Sequence, residues 1–197
     1  MISSLHPLPD VPDLLVHAVL GPLTLAYVAA WIALYVHEIG HATMARALGV
    51  RIWGVRLGIG PAVFDGVVAG CQLRIGILPL AGSVALLDAD AAAIGYRGLG
   101  ISERSHFEWV HGAWRAPLIS AAGGISNLFG ALAVIANWSW SGQPALGTPL
   151  GDLALYAVVA NLAGYLNLLP CFSSDGRHLL QQLSAVRRRV DARTDHR

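Results

Sequence analysis

Two histidines four residues apart, with a glutamate directly after the first, are the residues of this chain best suited to chemistry: His37-Glu38-Ile39-Gly40-His41. On a helix of 3.6 residues per turn, positions i and i+4 share a face, so both imidazoles can reach one metal ion. Glu38 lies one residue on from His37. It is badly placed to ligate beside the histidines but well placed to take a proton from a metal-bound water as general base. Zinc suits such a site, because it accepts nitrogen and oxygen ligands, keeps a fourth position for water and lowers that water's pKa to about 7. The chemistry this implies is peptide-bond hydrolysis. A match at three fixed positions also arises by chance, but a glutamate between two histidines at the end of an apolar helix is costly unless it has a partner or a role.

The elements that must position these residues are apolar. Hydrophobic residues make up 55% of the 197, charged residues 13%, and the mean hydropathy is +0.56, a composition for a chain dissolved largely in lipid. A net charge of +1 gives no basic surface for nucleic acid. Cys71 and Cys171 are too few and too far apart for a disulfide framework or a thiolate metal site. Three stretches are long enough to cross a bilayer: 14–36, in which His17 alone can carry charge near neutral pH, 117–138, and 153–169 with Asn161 and Asn167 inside it. The first has no basic residue before it and runs directly into His37, which argues against a cleaved leader. Cys71–Leu87 is moderately apolar but carries Arg74, Gly76, Pro79 and Gly82, which suit a β-hairpin or re-entrant loop better than a fourth span. Asp88–Trp114 mixes alanine, glycine, charge and aromatics and reads as an interfacial connection.

The expected architecture is an all-α polytopic membrane protein. It has a three-transmembrane-helix catalytic core, a small membrane-associated β-hairpin or re-entrant element over about 52–87, and a basic tail over 177–197, all within one domain, 1–197. All thirteen basic residues are arginines, and none lies before Arg46 or within Ser139–Asp152. Basic residues in short loops stay on the cytoplasmic side, so the amino terminus is expected outside and the carboxyl terminus and active site toward the cytoplasm, in a multi-pass cell-membrane protein. The absence of lysine points to a GC-rich bacterial genome.

A catalytic zinc needs a third protein ligand. A third histidine six residues after His41 is excluded, because Ala47 stands there, and the nearest downstream carboxylate is Asp65 in a glycine-rich stretch. Topology favours Asp175. Two further crossings return the chain to the membrane face of His41, whereas a fourth span would leave Asp175 roughly 30 Å away. Asp65 stays as the alternative.

From about Ala30 to Leu180 the chain resembles the site-2 proteases, M50-type membrane-embedded zinc peptidases that cut other membrane proteins. HEIGH looks like that family's helix-borne HExxH motif. Gly58-Ile59-Gly60-Pro61 with Leu78-Pro79-Leu80-Ala81-Gly82 looks like its strand-and-loop element, and Ala121 to Asn127 is similar to its small-residue helix ending in asparagine. Asn167, Pro170, Asp175 and Gly176 keep the spacing of its last motif, which implies aspartate as third ligand. Phe172, Ser173 and Ser174 depart from that motif, where prolines and a leucine are usual. The connection between the second and third spans has no room for a PDZ module, so the resemblance is to a minimal form.

The resemblance and the residue chemistry together imply one Zn2+ per chain held by His37, His41 and Asp175, with Glu38 as base and then proton donor to the leaving amine. Asn167 joins Glu38 as a candidate catalytic residue, either bonding a substrate carbonyl or oxyanion or tying helices together. Asn127 is read as packing helices or orienting a ligand, and His178 as an interfacial polar residue. The implied partners are a transmembrane protein substrate and the lipid bilayer. The substrate helix unwinds and pairs as a strand near Leu73–Leu80. The rival readings are a catalytically silent membrane scaffold of the same fold that binds transmembrane helices, and a metal transporter; the latter would spread ionisable residues over several spans.

Overall fold

The computed structural model describes residues 19–86, 114–142, 144–170 and 175–194. In chain order they form α1 (Gly21–Ala47), β1 (Ile52–Val68), β2 (Cys71–Leu86), α2 (Arg115–Trp140), α3 (Pro149–Leu166) and α4 (Asp175–Thr194). Three of the helices, α1 to α3, are long and apolar enough to cross a membrane. Their outward surfaces are apolar where water would disfavour it, with Leu23, Ile32, Tyr35, Phe129, Leu132 and Val159 all exposed. The expected connection at Asp88–Trp114, the histidines at 6, 17, 106, 111 and 196, and the run Cys171–Ser174 lie outside the described residues, except Trp114.

The expected span limits shift, for local reasons. α1 runs to Ala47, so the HEIGH motif lies inside a 27-residue helix and not at its end. At 1.5 Å per residue that helix is about 40 Å long, more than a hydrocarbon core requires. It passes through the polar motif because His37, Glu38 and His41 are covered by other elements and so do not need to leave it for water. It ends where Gly49, at φ 72°, turns the chain and Val50 N–H bonds to the Ala45 carbonyl at 2.8 Å. α2 extends the second span by two residues at each end. α3 starts earlier than expected, because Thr148 caps its first turn by accepting from Gly151 N at 3.2 Å and Pro149 suits the first helical position. Only residues 141–148 join α2 to α3.

An all-α description is too narrow. β1 and β2 are 17 and 16 residues long and fold back on themselves. Residues 54–57 pair on one side with 82–85 and on the other with 72–75, while 62–68 pair with 71–76. The doubling is possible because β1 bends at Gly58 and Gly60, whose φ angles of 77° and 88° disfavour any side chain. Apolar side chains cover the outside of this unit, including Ile59, Val63, Phe64, Val67 and Leu80. It lies alongside a spanning helix: Tyr27 Oη on α1 donates to the Ile77 carbonyl at 2.6 Å. A small core of Ala45, Val50 and Ile119, packed by Met44, Ile52 and Leu86, fixes its base between α1 and α2.

A Cβ at Gly58 would sit 2.8 Å from both the Leu78 carbonyl oxygen and Trp31 Cη2. Gly58→Ala therefore combines a disfavoured φ with a clash at the joint between sheet and α1, and should destabilise the fold by about 1–3 kcal/mol. Thermal unfolding in detergent reads this directly; an unchanged midpoint would mean that the joint is not held as described.

The three spanning helices approach closely through small residues. Gly40 on α1 is buried against Ala122 and Ser126 of α2, and Gly130 of α2 faces Asn161 of α3. The tail expected over 177–197 is helical through Thr194. α4 packs on α2, with Ser120 Oγ donating to Gln182 Oε1 at 3.0 Å.

Candidate metal centre

α1 carries His37 and His41 on one face, one turn apart, and that face is turned inward: the two residues are 7% and 9% exposed, Glu38 4%. His37 Nε2 and His41 Nε2 are 3.1 Å apart. Asp175 Oδ2, from the first residue of α4, lies 2.9 Å from the first and 3.4 Å from the second. Residues 138 positions apart thus meet at one point, and they form a group of three potential ligand atoms.

The arrangement fits a tetrahedral metal. Two donors each about 2.0–2.1 Å from zinc are roughly 3.3 Å apart, close to the three separations observed. The second nitrogen of His41 fits too: Nδ1 donates to the Ile119 carbonyl at 2.6 Å, which leaves the Nε2 lone pair for a metal. Space fits as well. Gly123 of α2 faces both rings, and a Cβ there would crowd His41 Nε2 and come within 2.7 Å of His37 Nε2. The room beside the donor atoms exists because that residue has no side chain. Of the expected set, His37, His41 and Asp175 are brought together, and Asp65 is not: it sits on the exposed sheet, 3.7 Å from Arg74.

Asp175 is held as a carboxylate. Burial by itself would raise its pKa, but the imidazoles of His37 and His41 beside it keep it well below the usual carboxylate range. Gly176 N–H bonds to the Asn167 carbonyl at 3.0 Å, and a Cβ at Gly176 would collide with the Leu168 carbonyl. Asn167 is in the site as expected, but its amide nitrogen donates to Asp175 Oδ2 at 2.8 Å.

A cavity of about 880 Å³ opens beside these groups. His37, Glu38 and His41 line it, with Pro79–Val84 of β2, Ala160, Ala163 and Gly164 of α3, and His178 and Gln182 of α4. β2 touches Glu38 closely, since a Cβ at Gly82 would lie 2.5 Å from Glu38 Oε1; the other carboxyl oxygen, Oε2, has no hydrogen-bond partner among the described residues. Leu73 and Ile75, part of the expected docking edge, are each paired on both sides within the sheet. The strand edge bordering the cavity is instead Pro79–Val84, whose residues 82–84 pair with β1 on one side only.

Asn127 was expected to pack helices or orient a ligand and Gly123 to be one of the small residues of 121–127; the Ile119 carbonyl was not expected. The four-residue spacing of 119, 123 and 127 puts all three on the face of α2 that meets the histidines.

Residues 25–146 match the model of peptidase family M50. The chain is 30% identical over 148 residues to protease RseP of Yersinia pestis, covering 73% of this chain and 31% of that protein. It is 30% identical over 138 residues to the regulator of sigma-E protease RseP of Escherichia coli K12, covering 68% and 29%. A Chlamydia pneumoniae protein named "Putative zinc metalloprotease" is 30% identical over 121 residues, covering 57% and 18%. The chain thus spans about a fifth to a third of the length of these relatives.

Proposed function

The chain belongs to peptidase family M50, and on that premise we propose that residues 1–197 act as one membrane-embedded domain, a zinc metalloendopeptidase that cleaves transmembrane segments of membrane proteins. The observation that carries this reading is the meeting of His37, His41 and Asp175 beside Glu38, in a cavity bordered by Pro79–Val84 of β2. His37 Nε2, His41 Nε2 and Asp175 Oδ2 hold one Zn2+, which when bound supplies Lewis acidity and brings the pKa of a water near 7.

The chain's own residues do the rest. Glu38, through the oxygen that has no partner among the described residues, takes the proton of the attacking water and passes it to the departing amine. Asn167 acts through Asp175, fixing the carboxylate by its amide N–H. A substrate helix hides its amides in its own hydrogen bonds, so it must unwind before any base can reach one. The unwound segment adds as a strand along Pro79–Val84, whose residues 82–84 have a strand partner on one side only among the described residues. Arginine placement supports a cytoplasmic carboxyl terminus and active site, with the amino terminus outside.

The test is cleavage of a model transmembrane peptide by the detergent-purified chain, with zinc measured per chain. One zinc and cleavage are expected. Zinc with peptide binding but no cleavage would support the silent scaffold instead. Asp175→Asn should weaken zinc binding by more than the roughly 10–100-fold that losing an outer partner of a ligand costs. Unchanged zinc content in that variant would remove Asp175 from the ligand set.

A further inference from the structure

We propose that Asn127 is a positioning residue for His37, presenting its amide oxygen to His37 Nδ1 so that the Nδ1–H form of the ring, the one with a free Nε2, is the form the site holds. The inference rests on the zinc reading above.

Asn127 is 1% exposed, on the face of α2 that meets α1. Its Nδ2 lies 3.0 Å from His37 Nδ1, and its Oδ1 has no hydrogen-bond partner among the described residues. That orientation suits a ring protonated on Nε2 toward Asp175, 2.9 Å away. A metal ligand must instead offer the Nε2 lone pair, and a neutral imidazole then carries its proton on Nδ1. Donor would face donor across 3.0 Å. The two ends of a carboxamide are alike in shape, so a half-turn of the side chain exchanges them without moving the helices. Oδ1 then accepts from Nδ1–H and gains the partner it lacks.

Two neighbours fit this role. His41 is fixed in the same manner by the Ile119 carbonyl, two turns before Asn127 on α2, so one helix sets both rings. Gly164 of α3 abuts the end of the amide that faces His37, and a Cβ there would collide with it. The carboxamide is therefore held between three helices, with its donor and acceptor ends as its main freedom.

The discriminating variants are Asn127→Asp, which keeps an acceptor and cannot donate, and Asn127→Leu, which does neither. Zinc affinity is measured by chelator competition on the detergent-purified full chain. Asn127→Asp should bind zinc within about threefold of the unmodified chain, and Asn127→Leu about 10–100-fold more weakly. Wild-type affinity in Asn127→Leu overturns the proposal. So does a tenfold loss in Asn127→Asp, which would mean that the amide serves as donor or only packs; this variant decides alone if Asn127→Leu does not fold. An unmodified chain that binds no zinc would sink the zinc reading together with this one, whereas the other two failures leave that reading standing.

Discussion

Glu38→Gln should lower peptide hydrolysis by about 10²–10⁴-fold and leave zinc bound. Glutamine keeps the shape and the polar end of the side chain but cannot accept a proton. The three potential ligand atoms belong to other residues, so metal content has no reason to fall. Glu38 is 4% exposed, its Oε2 has no partner among the described residues, and β2 presses on its carboxyl where Gly82 has no side chain. A carboxylate kept in that state inside apolar helices is costly unless its reactivity is used. Turnover of a model transmembrane peptide and zinc per chain, measured on one preparation, give both halves of the result. Retained turnover would mean that Glu38 is not the base, and lost zinc would mean that it helps to hold the metal.

Gly123→Ala should yield a folded chain that has lost its zinc. The added Cβ would stand beside both Nε2 atoms, 2.7 Å from that of His37 and nearer still to that of His41. Neither ring can swing aside freely, since His41 Nδ1 is bonded to the Ile119 carbonyl and His37 Nδ1 faces Asn127. The neighbouring Gly124→Ala is the control. Its Cβ would meet the Leu168 side chain, 2.5 Å from Cγ, and none of the three ligand residues, so any shift it forces falls on Leu168. Zinc near zero per chain in the first variant and near one in the second is expected. Stoichiometric zinc in Gly123→Ala would show that the metal does not lie on the α2 side of the histidines.

The chemistry and the class of fold were legible in the residues because they depend on short-range periodicity and on composition. A four-residue spacing puts two imidazoles on one helix face whatever surrounds it. Hydropathy marked three spans, and glycine with proline marked a sheet between the first two. Counting crossings then made Asp175 the better third ligand, and it lies 2.9 Å from His37 Nε2. The helix limits were less legible. A fall in hydropathy at His37 resembles a helix end, but polar side chains that find partners on α2 and α4 can stay inside a helix that runs on to Ala47.

Composition and spacing by themselves determined that this chain carries a His-Glu-His face on an apolar helix, among three stretches long enough to cross a membrane. Only the tertiary structure decided what surrounds that face. Gly123 was visible only as one small residue in 121–127, and packing sets it against the donor atoms, while Ile119 contributes a backbone carbonyl that every residue possesses. Asn167 was visible as a polar residue in a span, but whether its amide points at substrate or at Asp175 depends on the start of α4 lying against it, where Gly176 N–H bonds to the Asn167 carbonyl. Of the strand expected as an edge, Leu73–Leu80, the residues up to Ile75 are paired on both sides, because β1 doubles back at Gly58 and Gly60, and Pro79 and Leu80 border the cavity. These are long-range contacts between groups that look ordinary in isolation, and only packing gives them a role.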